Sequence, residues 1–211
     1  MSPSIIYNIS DPDIPWEKLA YLMREAFKER TEQGLLFACR DFSAEDLKND
    51  CSNHDKALLF VKNDDNNNPL GLIVMTIKNN VGNTNYVVAS PSAKHSGICS
   101  SLFKDVLKKS KELHLNHLIS STSTGATSSI NWHLKMGFKK YDYHSSKHTN
   151  YYSVIFRLPL KEKNTISYNI KRLLHFNLAK IFVTITKTPD GSWRFPFLIK
   201  IWRKIKNQLN S

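Results

Sequence analysis

The spacing of apolar residues changes several times along the first 160 residues. Trp16, Leu19, Ala20, Met23, Ala26 and Phe27 recur at helical intervals after the turn-rich Asp11 to Pro15, which predicts a helix over residues 16–30. Ser43-Ala44-Glu45-Asp46 has the form of a capping box with carboxylates in the first turn, so a second helix is expected from Ala44 to about Asn53. Thr31 to Arg40 between them reads as a loop. The runs Ala57 to Val61 and Leu70 to Ile77 are rich in β-formers and are separated by Asn63-Asp64-Asp65-Asn66-Asn67-Asn68-Pro69, a hairpin signal. A third strand, Asn85 to Ala89, follows a turn at Asn79 to Thr84.

After Pro91 the period is helical again, with Leu102, Phe103, Val106, Leu107 and Leu113 on one face and Lys104, Lys108, Lys109 and Lys111 mostly on another. A short strand at residues 117–121, a polar loop from Thr122 to Thr127, a helix over residues 128–136 stopped by Gly137 and a final hairpin over residues 138–144 and 150–158 complete the pattern. No internal repeat is visible. The order of elements is that of a mixed α/β, or α+β, layer around one sheet.

The chain has 211 residues, 41% hydrophobic and 23% charged, enough for one real core and little more. Cys39, Cys51 and Cys99 are widely spaced, without any Cys-x-x-Cys, so neither a disulfide framework nor a zinc cage is encoded and a reducing cytoplasm fits. His144 and His148 lack a third partner at metal-ligand spacing, so no metal is expected. The beginning Met1-Ser2-Pro3-Ser4 has no basic residue before Lys18, unlike a secretory leader, and no window offers the ~20 uninterrupted apolar residues of a membrane span.

Thirty Lys and Arg against eighteen Asp and Glu give a net charge of +12. Residues 1–160 contribute +3 (19 basic, 16 acidic) and residues 161–211 contribute +9 (11 basic, 2 acidic). The sequence therefore divides into a nearly neutral domain, residues 1–160, and a basic extension, residues 161–211, rather than a uniformly basic nucleic-acid binder.

The stretch that carries chemistry is Val87-Val88-Ala89-Ser90-Pro91-Ser92-Ala93-Lys94-His95-Ser96-Gly97-Ile98-Cys99. It runs from a strand through a turn with a lysine and a glycine into a helix. Free amides at a helix amino terminus, the positive end of the helix dipole and Lys94 together favour a phosphate or pyrophosphate. Neither a Walker loop nor a Gly-x-Gly-x-x-Gly pattern is present.

From Ala89 to Cys99 this segment resembles the acyl-CoA-binding motif of the GNAT N-acetyltransferase superfamily, V-x-P-x-x-R/Q-x-x-G-x-G/A, with Lys94 for the usual Arg or Gln and Cys99 for the second small residue. Trp132-His133-Leu134-Lys135-Met136-Gly137-Phe138 is similar to the second motif of that family, aromatic-Tyr-x-x-x-Gly-Phe, and the resemblance extends over residues 5–160. It implies a mostly antiparallel sheet with one splayed parallel strand pair, ending at Ala89 and at about Ser121, with acetyl-CoA as acyl donor wedged between them. Pantetheine would lie along Val87, Val88 and Ala89, and the pyrophosphate on Lys94, His95, Ser96, Gly97, Ile98 and Cys99. An amide near Val88 would hold the oxyanion formed when an amine attacks the thioester.

His133 stands where the family often has the tyrosine that protonates the leaving thiolate, so it is the candidate catalytic residue. It either donates that proton or packs beside the thiol without transferring one. Ser121 stands where some relatives have a glutamate base, and Ala126 where they have a CoA-contacting Asn. Glu29, Arg30, Glu32 and Arg40 either fall where such proteins build the acceptor pocket or form a solvated charged loop. Cys99, at a helix amino terminus, is either a thiol of depressed pKa or a small residue tolerated beside the ligand.

In the extension, Ile170, Leu173, Leu174, Leu178, Ile181, Phe182 and Ile185 form one helical stripe, and Leu198, Ile201, Trp202, Ile205 and Leu209 form another, each with cations beside it. Such helices suit the interface of an anionic membrane through residues 167–209. Docking on the core or on a second subunit, giving a homodimer, is the alternative. Nucleic acid is disfavoured because no recognition motif accompanies the charge.

The sequence is read as an acetyl-CoA-dependent N-acetyltransferase for a primary amine on a small molecule, such as an amino sugar of surface-glycan assembly. It would act in the cytoplasm or at the inner face of the membrane. A GNAT module that keeps acyl-CoA without turnover and a protein N-acetyltransferase are the other readings.

Overall fold

The computed structural model describes residues 4–37, 41–54, 56–161 and 166–195. Seven strands form one sheet: β1 (Ile5–Asn8), β2 (Ala57–Asn63), β3 (Pro69–Lys78), β4 (Val81–Ala89), β5 (His117–Ser123), β6 (Lys139–Ser145) and β7 (Tyr152–Pro159), in the spatial order β1-β2-β3-β4-β5-β7-β6. Every neighbouring pair is antiparallel except β4 and β5. Among the described residues five helices flank it: α1 (Trp16–Glu32), α2 (Ala44–Ser52), α3 (Ile98–Glu112), α4 (Thr127–Lys135) and α5 (Ile166–Thr186).

β2 reads as an unbroken apolar run because both of its faces are covered. Leu58 and Phe60 join a core with Leu102, Phe103 and Val106 of α3, while Ala57, Leu59 and Val61 join a second core with Leu19, Leu22 and Met23 of α1 and Leu47 of α2. The expected cap of α2 is formed, with the Ser43 hydroxyl accepting from the Asp46 amide at 3.0 Å. β1 is not signalled by the sequence, and β4 begins at Val81, four residues before the expected start. The polar run Gly82-Asn83-Thr84-Asn85 resembles a turn in isolation, but pairing with β3 on one side and β5 on the other holds it extended.

Gly82 lies at the root of the parallel pair. A Cβ there would sit 2.6 Å from Leu118 Cδ2, 3.0 Å from Leu115 Cδ1 and 3.1 Å from Met75 Sδ. Gly82→Ala is therefore expected to destabilise the fold by about 1–3 kcal/mol through overpacking, read as a lower melting temperature.

α5, which the sequence assigns to the extension, packs on β6 and contributes Ala179 and Val183 to the core shared with α3. The Arg172 guanidinium donates to the Lys140 carbonyl, and the His175 imidazole bonds the Tyr141 carbonyl at 3.0 Å. The apolar stripe, which the docking alternative would lay on the core, points the other way. Ile170, Leu173, Leu174, Leu178, Ile181 and Ile185 are all more than half exposed, and only Phe182 of that stripe is partly covered. The expected second stripe, from Leu198 to Leu209, lies outside the described residues.

Candidate functional site

β4 and β5 pair in register from Val81 with His117 to Thr84 with Ser120. Beyond that the two strands part, and Asn85 to Ala89 on one side and Ser121 to Ser123 on the other line a cleft of about 1100 Å³. This is slightly above the range of ~300–1,000 Å³ usual for small-molecule pockets, which leaves room for two substrates.

A bulge shapes the β4 wall. Leu72 faces Val88 and Val74 faces Asn85, so Ile73 alone opposes both Tyr86 and Val87, and Tyr86 takes a φ of 48°. The Ser90 amide donates to the Leu70 carbonyl at 2.8 Å. Since successive amides of a strand point to opposite edges, the Val88 amide also turns toward β3, and those of Val87 and Ala89 turn toward the side that β5 has left open. The amide expected near Val88 thus has its cleft-facing counterparts one residue to either side.

The wall continues through a single 3-10 turn at Pro91–Ala93 into α3. Gly97 is the N-cap of α3 in the left-handed region, φ 85°, with no side-chain cap. A Cβ on Gly97 would meet nothing within 4 Å, so glycine serves conformation here rather than close packing. The helix ladder starts with the Ser101 amide donating to the Gly97 carbonyl, which leaves the amides of Ile98, Cys99 and Ser100 ahead of it without an intrahelical acceptor. Lys94, His95, Gly97, Ile98 and Cys99 line the cleft, whereas Ser96 turns its hydroxyl back to the Ala93 carbonyl. The Lys94 ammonium lies 3.7 Å from the Glu29 carboxylate, both well exposed, so this pair costs little to open. Burial pushes the Cys99 thiol up to about 11, which removes the reading of Cys99 as an activated thiolate and leaves that of a small residue beside the ligand.

His133 lies on α4 at the floor of the cleft, 2% exposed and stacked on Phe156 with ring centroids 4.6 Å apart. Its Nδ1 is 2.7 Å from the Ser129 carbonyl, an acceptor only, so Nδ1 carries the hydrogen. Its Nε2 is 2.8 Å from Ser120 Oγ. Burial, partly opposed by the Ser129 carbonyl, lowers its pKa to about 4. The neutral ring therefore presents Nε2 as a lone pair toward the Ser120 hydroxyl, which also lies 3.0 Å from the Thr84 carbonyl. At neutral pH the only hydrogen on the ring is committed to Ser129, so this geometry favours the packed role over the proton donor. The neighbouring Trp132 indole donates to Ser100 Oγ at 3.2 Å and ties α4 to the first turn of α3.

Glu29, Arg30 and Glu32 line the opposite side of the cleft, while Arg40 lies outside the described residues. With them stand Glu25, Asp50 and His54 and an aromatic group that the sequence does not single out. Phe27 and Phe42 stack with centroids 5.2 Å apart, and Phe37 lies 4.8 Å from Phe27 and 6.0 Å from Tyr151. Asn150 clamps this loop to the last hairpin, accepting from the Leu36 amide at 2.9 Å and donating to the Gly34 carbonyl at 2.8 Å. Asp50 accepts from the bulge residue Tyr86, hydroxyl to carboxylate, at 2.8 Å. The sequence could have hinted at the aromatic group only through the concentration of Phe around residues 27–42.

Ser121 lines the cleft and is exposed, and Ala126 is the buried N-cap of α4. Among the described residues no three His, Cys, Asp or Glu side chains are grouped as a metal site requires, and no helix is long and apolar enough to cross a membrane.

Comparison with known proteins agrees with this architecture. Among solved structures, a GNAT-family acetyltransferase from Elizabethkingia anophelis with acetyl-CoA bound is 16% identical, with 76% of this chain and 100% of that one covered at a TM-score of 0.53. An acetyltransferase of the GNAT family from Staphylococcus aureus Mu50 is 16% identical, with 74% and 100% covered at 0.55. The ribosomal-protein-S18-alanine N-acetyltransferase from Escherichia coli is 9% identical, with 76% and 99% covered at 0.56. At these identities the likeness is one of fold. No match is found among curated proteins. The model of the acetyltransferase (GNAT) family matches residues 7–138, more than half of the chain, and on that match the chain belongs to this family of acetyltransferases.

Proposed function

We propose that the protein transfers an acetyl group from acetyl-CoA directly to a primary amine of a small molecule in the cytoplasm, with an amino sugar of surface-glycan assembly as the candidate acceptor. The observation that carries this reading is the distribution of charge in the cleft. Along the start of α3, the uncapped amides and the nearby Lys94 ammonium suit the donor's phosphates. Elsewhere in its lining, Glu25, Glu32 and Asp50 suit a cationic amine, and Phe27, Phe37 and Tyr151 offer apolar faces to the rest of the acceptor.

In this mechanism pantetheine runs along β4, and the amides of Val87 and Ala89, beyond the reach of the β5 pairing that ends at Thr84, donate to the ligand. One of them holds the oxyanion as the amine attacks the thioester carbonyl. The tetrahedral species collapses by breaking the carbon–sulfur bond, giving the amide and the CoA thiolate. The amine's proton leaves to water, and the thiolate, whose conjugate thiol has an ordinary pKa of ~8.5, takes a proton from water. His133 positions the floor of the cleft through Ser120 and the ladder at Thr84. Asp50, held by Tyr86, orients the acceptor ammonium until it is deprotonated.

Thiol release measured with a panel of amino sugars, polyamines and peptides tests this reading. Turnover is expected with small amines. Acetyl-CoA binding without turnover on any of them would instead make the protein a non-catalytic donor-binding module, and turnover confined to peptides would make it a protein N-acetyltransferase. Asp50→Asn is expected to raise the KM for the amine about tenfold to a hundredfold, as for loss of a charged hydrogen bond, and to leave acetyl-CoA affinity unchanged.

A further inference from the structure

We propose that the outward face of α5 seats the protein on the surface of an anionic lipid bilayer, lying in the interface rather than crossing it. The helix docks on β6 with one face, where Ala179, Val183 and Thr186 are buried. On the opposite face Ile166 is 80% exposed, Ile170 62%, Leu174 63% and Ile181 57%, with Leu173, Leu178 and Ile185 also more than half exposed. At 3.6 residues per turn these seven side chains fall within an arc of roughly 140°, interrupted by Ser167, Asn177 and Thr184. A stripe of that size left in water is a binding surface rather than ordinary surface scatter.

The placement of charge decides what covers it. On the same helical wheel Lys171 and Lys180, both exposed, fall on the two opposite margins of the stripe. Long cationic side chains at the borders of an apolar face can extend their ammonium groups to lipid headgroups while the face sinks among the acyl chains. α5 contains no acidic residue. A second copy laid against the stripe would bring four of these lysines together with no counter-charge on either helix. The chain that follows, residues 196–211, adds Lys200, Arg203, Lys204 and Lys206 and no acid, so it too would add like charge. An anionic bilayer alone among these occupants supplies both an apolar interior and the opposite charge.

Flotation of the full-length protein with vesicles tests this, using phosphatidylcholine alone and phosphatidylcholine mixed with phosphatidylglycerol. The protein is expected to float with the mixed vesicles at low salt, to be released by high salt and to bind the neutral vesicles weakly. Lys171→Ala with Lys180→Ala should lower the partition coefficient about 30-fold, from the loss of two surface cations. Leu174→Glu with Leu178→Glu should abolish flotation. Both pairs are exposed, and an unchanged melting temperature and unchanged acetyl-CoA affinity will show that the fold is retained. The proposal is overturned if the parent protein stays in solution with the mixed vesicles, or if the double glutamate variant floats as well as the parent. A parent dimer that becomes monomeric in the glutamate variant, without flotation of either, would assign the stripe to a second copy. These readouts do not involve acetyl transfer, so their failure would leave the proposed activity standing.

Discussion

A His133→Gln protein is expected to resist acid better than the parent chain. Burial holds the folded His133 imidazole near a pKa of about 4, whereas an unfolded histidine takes up its proton near 6.5. Between those values the unfolded state binds more protons, so stability falls as pH falls. Above 6.5 neither state is protonated and His133 adds no pH dependence. Below 4 both are protonated and the loss, about 3 kcal/mol for a shift of this size, is complete. Glutamine cannot titrate, and its amide can still donate to the Ser129 carbonyl or accept from Ser120. Denaturant unfolding followed from pH 7.5 down to pH 4 should therefore show a steep acid-side decline in the parent and a shallower one in the variant. Parallel curves would contradict this account of His133. The same variant separates positioning from proton donation. If His133 only positions the cleft floor, kcat keeps the shape of its pH profile, whereas loss of a true general acid would cost about a hundredfold or more and remove a limb of the profile.

Gly97→Val should produce the largest loss of donor affinity. The residue sits at φ 85°, a region where a β-branched side chain is strained by about 1–3 kcal/mol, and it is the cap from which the Ile98, Cys99 and Ser100 amides project. Relief of that strain turns the first turn of α3 away from its present direction. Losing one charge-assisted hydrogen bond to a phosphate weakens binding about tenfold to a hundredfold. Calorimetric titration with acetyl-CoA measures this directly, and Lys94→Ala, on an exposed side chain, gives a smaller loss in a fold that is not strained. Unchanged affinity in both variants would place the donor's phosphates elsewhere.

Both of these residues stand in the motifs that the sequence displays, and the reason is local. A strand, a turn and a helix start lie within thirteen consecutive residues from Val87 to Cys99, so their chemistry shows without tertiary information. Helices α1 and α3 were equally legible, because the buried Leu19, Met23, Leu102, Phe103 and Val106 repeat at helical spacing. What the sequence conceals depends on contacts between distant segments. β1 has four residues at the edge of the sheet and gains its conformation only by pairing with β2. The acceptor side is assembled from Phe27, Asp50, Tyr86 and Tyr151, four elements or loops apart, and the Tyr86 conformation follows from a bulge that no composition signals. For α5 the pattern identified a helix and a stripe but not which face would be covered. Arg172 and His175 found carbonyl partners on β6, so the more polar face turned inward and the apolar one was left outside.

Transfer of a labelled acetyl group tests the central claim most directly. With acetyl-CoA labelled in the acetyl carbonyl and an amino sugar as acceptor, the cleft should yield one labelled amide for each thiol released. Thiol released while the label appears as free acetate would show hydrolysis rather than transfer to an amine. Label retained on CoA with every amine offered would contradict the account.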